Sequence, residues 1–149
     1  MRKLPGKIDG RLITKEFFPN AVGYERIINC GDCYRWAYIA YKLYEGVELW
    51  SNDSHAFPYQ RGRFFDSESP QGEKSLEDLV CNESCGLGVD DSWAQGVDEF
   101  ESFWADNGDF IDREDLDREI RNFWRRYTRK NAPKNAPKNA RKNTRNRPS

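Results

Sequence analysis

The sequence lacks any apolar run close to the roughly 20 residues that a membrane-spanning helix requires. Its first residues, MRKLPGKIDGRL, carry positive charge without an apolar stretch behind them, so no secretory signal is predicted. Both absences favour a cytoplasmic protein with no membrane partner. In that compartment the four cysteines are more typical of free thiols or metal ligands than of disulfides.

Histidine is nearly absent, because His55 is the only one in the chain. Any acid–base role of an imidazole therefore falls on that residue. Acidic residues are missing from residues 125–149, which hold ten Lys and Arg. Residues 1–124 therefore have 14 basic and 25 acidic side chains, a formal net charge of −11. We expect an acidic folded body followed by a basic tail.

The end of the chain is repetitive and almost devoid of apolar side chains. Residues 131–142 read NAPK-NAPK-NARK, and burial cannot offset the entropy of ordering such a segment. The sequence predicts a single domain over residues 1–128 and a disordered basic tail over 129–149. The basic stretch 125–149 fits an arm for nucleic acid or another anionic partner as well as it fits a solubilising terminus.

Three apolar stripes at helical spacing predict three helices, and their aromatic residues are more typical of a core than of a ligand cage. The first begins at Cys33, the second follows Ser92 as N-cap and stops at Asn107-Gly108, and the third closes with basic residues. Ser75 is placed to cap a short fourth helix. The stripes comprise Cys33, Ala37, Ala40, Tyr41 and Tyr44; Trp93, Val97, Phe100 and Trp104; and Leu116, Ile120, Phe123, Trp124 and Tyr127.

Between the first two stripes the pattern becomes that of a β-hairpin. Ser54–Tyr59 and Arg63–Ser67 are short and aromatic, and Gln60-Arg61-Gly62 separates them. Segments 11–18 and 21–28 add strands or a short helix. Pro58 lacks a backbone N–H, which suits an edge strand. The expected fold class is α+β, with an N-terminal helix, a small antiparallel sheet and C-terminal helices packed on it.

Cys33 occupies a position that favours a reactive thiol. Gly31-Asp32 precedes the first stripe, so Cys33 lies at a helix N-terminus, where backbone N–H groups and the helix dipole stabilise a thiolate. The same N–H groups are suited to stabilising an oxyanion. The neighbouring Asp32 opposes a thiolate unless its carboxylate caps the helix.

The hairpin predicts where a carboxylate meets the imidazole. With a two-residue loop, Asp66 faces either His55 itself or Phe57, which shares the face of His55. Both registers allow the carboxylate to orient the ring. A three-residue loop would place the two side chains on opposite faces unless a bulge restored the phase.

Residues 29–67 resemble the transglutaminase-like core of the papain-like cysteine hydrolases. Residues 29–37, NCGDCYRWA, are similar to the cysteine lead-in and helix of that core, with an exit at Gly46-Val47. Residues 55–57, HAF, and 61–66, RGRFFD, are similar to its histidine strand, glycine turn and aspartate strand. The spacing of 22 positions from Cys33 to His55 is shorter than is usual for the family, as in a minimised member of the sort that bacterial viruses encode.

The resemblance implies a catalytic triad without a cofactor. Cys33 is then the nucleophile, His55 the general base and then acid, and Asp66 the orienting group. Asn29, or a backbone N–H near Cys33, is the candidate donor to the oxyanion. The implied reaction is acyl transfer on a protein or peptide substrate, either hydrolysis of a peptide, isopeptide or amide bond or transfer to an amine. The site would act in the cytoplasm, the host's if a virus encodes the chain.

A zinc site is the strongest alternative. Cys30 and Cys33 form one half-site and Cys81 and Cys85 a second, separated by a long spacer. Four cysteine ligands would make Cys33 structural, and His55 and Asp66 ordinary hairpin residues.

A catalytically inactive binding module is the third hypothesis. Twelve acidic residues between Asp90 and Glu119 suit a basic partner protein or imitate nucleic acid, although such a run is more often the solvated face of helices.

Overall fold

The computed structural model describes residues 2–79, 92–106 and 112–130, and it confirms the predicted α+β fold class. The described α-helices are α1 (Gly10–Phe17), α2 (Cys33–Leu43), α3 (Val97–Asp106) and α4 (Arg113–Lys130). The strands are β1 (Glu48–Ser51), β2 (Ala56–Gln60), β3 (Arg63–Asp66), β4 (Ser69–Glu73) and β5 (Trp93–Gln95). Short 3-10 helices span Pro19–Ala21, Glu25–Cys30 and Leu76–Asp78.

The five strands form one antiparallel sheet in the order β4-β3-β2-β1-β5. The expectation that Pro58 marks an edge strand is therefore wrong, because β2 lies between β1 and β3. The proline is tolerated because the β2–β3 pairing covers Tyr59–Phe64 and Gln60–Arg63 and ends before Pro58. Pro58 therefore lacks its N–H at a position where β2 and β3 no longer pair.

The two N-terminal segments with weak periodicity are helical. Residues 10–17 form α1, which begins where the Asp9 carboxylate accepts the N–H groups of Arg11 and Leu12. Residues 19–30 contain the first two 3-10 helices and contribute no strand. This segment leads directly into α2 and so determines where Cys33 lies.

The predicted helix start at Ser92 is wrong. Trp93–Gln95 is strand β5, which pairs with β1, and α3 begins only at Val97. Sheet pairing satisfies the backbone groups of these residues, and this outweighs the helical spacing of the side chains. Trp93 still packs on Phe103 of α3, at 5.2 Å between ring centroids. The predicted stop at Asn107-Gly108 lies outside the described residues.

The core lies between α2 and one face of the sheet, with α4 on the far side of α2. Ala37, Ile39, Ala40 and Leu43 of α2 are fully buried, and most of the predicted stripe residues belong to this core: Phe100, Trp104, Leu116, Ile120 and Phe123. A smaller cluster of Phe57, Leu76 and Leu79 covers the opposite face of the sheet. The Ser75 hydroxyl accepts the Glu77 N–H at the start of the short helix there, as the sequence predicts.

Helix α4 continues to Lys130, and the rest of the predicted tail lies outside the described residues. Of the helices in the three described ranges, none is both long enough and apolar enough to span a membrane.

Candidate active site

Cys33 is the first residue of α2 and is 5% exposed. Asp32 is the N-cap residue, and its side chain makes no capping hydrogen bond, so the condition under which helix capping would engage its charge is not met. The Asp32 carboxylate instead lies 4.0 Å from the Arg35 guanidinium. The N–H groups of the first turn of α2 therefore donate no hydrogen bond to the Asp32 carboxylate.

The hairpin that carries His55 and Asp66 turns through two residues, Arg61 and Gly62, both with positive φ. Pairing of Tyr59 with Phe64 and of Gln60 with Arg63 fixes the register next to the turn, and this register, if continued, makes Phe57 the position opposite Asp66. This is the second of the two registers in which the carboxylate shares a face with the imidazole.

The His55 imidazole and the Asp66 carboxylate are in contact and shielded from solvent. Nε2 of His55 lies 3.3 Å from Oδ2 of Asp66, and the two residues are 0% and 1% exposed. The second carboxylate oxygen, Oδ1, accepts the backbone N–H groups of Glu68 and Ser69 at 2.9 and 2.7 Å. Both oxygens of Asp66 are thus fixed, so the position of the imidazole is fixed with them.

Asn52 holds the backbone of His55, and the sequence interpretation missed this residue. Its Oδ1 accepts the N–H groups of Ser54 and His55 at 3.0 and 2.8 Å, and its backbone N–H donates to the carbonyl of His55 at 2.9 Å. Asn52 is fully buried. The signal was present in the run Asn52-Asp53-Ser54, since such residues commonly hydrogen-bond the backbone of a turn two residues further on.

The thiol lies beside the histidine in the fold. Sγ of Cys33 accepts the backbone N–H of Ala56 at 3.5 Å, and Ala56 directly follows His55. The sulfur therefore adjoins the peptide that joins His55 to β2, while the ring of His55 contacts Asp66. Cys33 is thus connected to the histidine segment through the Ala56 N–H, and His55 to Asp66 through their side chains.

Asn29 contacts the turn after Asp66. Its Nδ2 donates to the Glu68 carboxylate at 2.8 Å, and the Ser67 hydroxyl donates to the Glu25 carbonyl at 2.8 Å. These two contacts connect the segment that leads to Cys33 with the β3–β4 turn that holds Asp66. One amide hydrogen of Asn29 is thus committed to Glu68, and its role as an oxyanion donor stays a prediction.

An open groove of about 760 Å³ borders that same turn. It is lined by α1, by the segment before α2 and by the start of β4, including Arg11, Lys15, Val22, Tyr24, Arg26 and Pro70. Two of the exposed large apolar side chains, Val22 at 54% and Tyr24 at 69%, lie on its wall. The groove therefore combines apolar and charged groups next to the Asp66 turn.

The acidic groups of this groove have partners. Glu25 accepts the Gly23 N–H at 3.0 Å, which lowers the pKa of the Glu25 carboxyl below its usual value. Glu68 accepts from Asn29, as described above. The cationic side chains on the wall are Arg11, Lys15 and Arg26.

The zinc alternative is only partly covered by the described residues. Cys30 is an exposed and Cys33 a buried free thiol, whereas Cys81 and Cys85 lie outside the described ranges. Within residues 2–79, 92–106 and 112–130 there is no group of three or more His, Cys, Asp or Glu side chains suited to a metal ion. A site built from all four cysteines stays a prediction.

In comparisons with protein-family models, curated proteins and solved structures, nothing matches this chain.

Proposed function

We propose that this chain is a cysteine-dependent acyl-transfer enzyme, with Cys33 as nucleophile, His55 as general base and then acid, and Asp66 as the orienting group. The observation that supports it is the fully buried contact of 3.3 Å between His55 and Asp66, next to a thiol at a helix N-terminus. A buried imidazole–carboxylate pair beside a positioned thiol is the arrangement that nucleophilic catalysis needs.

Asp66 selects the working form of the imidazole. A carboxylate accepts only, so Nε2 of His55 carries the proton in this contact, and Nδ1 is then the basic nitrogen. Because the two N–H groups of the β3–β4 turn hold the other carboxylate oxygen, the ring is oriented without depending on the substrate.

The proposed reaction proceeds through a thioester. Nδ1 of His55 takes the thiol proton, and the Cys33 sulfur attacks the acyl carbon to give a tetrahedral intermediate. The N–H groups at the start of α2 stabilise its oxyanion, and the imidazolium returns the proton to the leaving amine. Water then releases a carboxylic acid, or a second amine accepts the acyl group.

The groove beside the Asp66 turn supports a protein or peptide substrate. Exposed Val22 and Tyr24 provide apolar contact area on its wall, and Arg11, Lys15 and Arg26 provide positive charge. Such a mixture suits an extended segment that carries carboxylates. Binding of an anionic partner by residues 125–149 is a separate proposal, and of this stretch the structure describes only 125–130.

Iodoacetamide labelling near pH 6 tests the proposal, with the modified cysteines identified by peptide mapping. We expect Cys33 to react faster than Cys30, although Cys30 is the exposed thiol and Cys33 is buried. His55→Ala is expected to remove the advantage of Cys33, because the base that deprotonates it is lost. Cys30 is the internal reference within the same molecule.

Two outcomes contradict the proposal. Equal or slower labelling of Cys33 in the wild-type protein would show an ordinary core thiol. Metal analysis that finds one zinc per chain, with all four thiols protected from labelling, would establish the zinc site in its place.

A further inference from the structure

The segment that delivers the nucleophile contains a second thiol that the proposed reaction does not use. Cys30 ends the 3-10 helix Glu25–Cys30 and is exposed, and Cys33 begins α2 and is buried. Gly31 and Asp32 form the turn between them, and Gly31 has a φ of 155°, which L residues rarely adopt. Two residues of this turn therefore separate the cysteines along the chain.

That spacing matches the geometry of a disulfide. The α-carbons at the two ends of a four-residue turn lie within about 7 Å, and a disulfide joins α-carbons about 4.4–6.8 Å apart. The Cβ of an alanine at Gly31 would meet no heavy atom within 4 Å, so the backbone at Gly31 has open space beside it. For the sulfurs to meet, the Cys33 sulfur has to leave its contact with the Ala56 N–H.

The two thiols also differ in the way that a redox pair requires. The exposed Cys30 thiol is accessible to a bulky soluble disulfide, and Cys33, three positions further along the chain, is the neighbouring thiol that can attack the resulting mixed disulfide. The Cys33 sulfur accepts one backbone N–H, from Ala56, at 3.5 Å.

We infer that Cys30 and Cys33 are a redox-active pair, which a low-molecular-weight disulfide such as oxidised glutathione converts into an intramolecular disulfide. The Cys30 thiolate attacks one glutathione sulfur, forming a mixed disulfide and releasing one glutathione thiolate. The Cys33 thiolate then attacks the Cys30 sulfur and releases the second. Two protein thiols are oxidised, one glutathione disulfide is reduced to two thiols, and the two protons pass to the leaving thiolates.

The consequence for catalysis rests on the function proposed above, whereas the disulfide itself does not. In the oxidised protein Cys33 has no thiolate, so acyl transfer and alkylation of Cys33 both stop. A thiol reductant restores both. The pair is then a reversible redox switch on the nucleophile.

The test equilibrates the full chain, with a chelator present, in glutathione buffers of increasing oxidised fraction. Acid quenching and mapping by mass spectrometry follow. We expect the peptide that contains both cysteines to lose two hydrogens, and Cys33 labelling to fall to background and to recover fully with dithiothreitol. The control Cys30→Ser is expected to keep Cys33 labelling at every buffer composition at which wild-type labelling is lost.

Mapping of Cys30 or Cys33 to Cys81 or Cys85, or a product that stops at the glutathione mixed disulfide, would overturn the inference. The double variant Cys81→Ser, Cys85→Ser is expected to form the same disulfide as the wild-type protein, and failure to do so would also count against it. If the disulfide forms but the reduced protein shows no preferential labelling of Cys33, the redox pair stands and the proposed enzyme fails. If Cys33 is labelled preferentially but no disulfide forms, the proposed enzyme stands and the redox pair fails.

Discussion

Two regions of this protein pair acidic with basic side chains, and they do so under opposite conditions. On the sheet, His55 and Asp66 meet at 3.3 Å with side-chain exposures of 0% and 2%. Between α3 and α4, Arg113 contacts Asp98 at 2.8 Å and also pairs with Glu101, with Arg113 and Asp98 exposed by 40% and 90%. The shorter contact is the more exposed one.

The difference shows that burial, and not distance, decides how much an acid–base pair contributes to the stability of the fold. Water screens the α3–α4 pairs and competes for their hydrogen bonds, so such contacts stabilise a fold by only about 0–1 kcal/mol. The sheet pair has no solvent to replace a lost partner, so removing either side chain leaves a buried polar group. The acidic run of α3 and α4 therefore behaves as a solvated face where it is described, and the sheet pair specifies a single geometry.

The largest effect is expected from breaking the buried pair. Asp66→Ala removes the partner of the imidazole and the acceptor of two turn N–H groups. It should lower the free energy of unfolding by about 3–5 kcal/mol, measured by urea denaturation. A loss below about 1 kcal/mol would mean that solvent reaches the pair.

Asp66→Asn is the matched control, since its Oδ1 still accepts the turn N–H groups. It should lower the free energy of unfolding by only about 1–2 kcal/mol. Its amide donates to Nε2 of His55, which places the imidazole proton on Nδ1 and leaves no base for the thiol. We therefore expect both variants to lose preferential labelling of Cys33. If Asp66→Asn stays folded but loses this labelling, Asp66 acts in the site as well as in folding.

A smaller effect is expected from adding a methyl group at Gly62, in the β2–β3 turn, or at Gly72, in β4. Gly72 has a φ of 85°, and a Cβ there would lie 2.7 Å from the ring of Phe65. Gly62 has a similar φ of 79° with no heavy atom within 4 Å of such a Cβ. Gly62→Ala should lower the free energy of unfolding by about 1–2 kcal/mol from backbone strain alone, and Gly72→Ala by about 1–3 kcal/mol more because the ring must move. Equal losses would show that Phe65 adapts to the added methyl group at no measurable cost.

The smallest effect is expected from the exposed pairs. Arg113→Gln should lower the free energy of unfolding by less than about 1 kcal/mol, and the loss should shrink when the salt concentration is raised to about 1 M. A double-mutant cycle with Asp98→Asn isolates the pair. A loss above about 2 kcal/mol that does not change with salt would remove the contrast between the two regions.

Much of the fold was predictable because local patterns and tertiary contacts agree. The stripe of α4 is a periodic feature, and its buried residues follow the same period. Helix α2 was predicted from its stripe, although its buried residues extend beyond that stripe to Trp36, Tyr38 and Ile39. The hairpin is present, with one of the loop lengths that the sequence left open. The prediction was wrong where two local patterns competed, as at Trp93–Gln95, whose helical spacing yields to pairing with β1. The prediction that Pro58 marks an edge strand was wrong for a related reason, since only the sheet order and pairing show where the β2–β3 hydrogen bonds end.

The candidate site divides in the same way. Its three side chains were identified from the sequence, whereas Asn52 and the turn that holds Asp66 were not. Both depend on hydrogen bonds to a residue two or three positions away. Such bonds require a local backbone conformation that composition does not specify.

The sequence by itself determined which groups are available for chemistry. A single histidine, a thiol at a helix start and a hairpin between His55 and Asp66 are properties of residue type and spacing, whereas the two-residue loop was shown only by the structure. Only the tertiary structure decided that the thiol lies beside the peptide after His55, that the carboxylate is buried against the ring and that Cys30 stays exposed next to a buried Cys33. Burial and contact between distant segments arise from packing of the whole core, and spacing along the chain carries no measure of either.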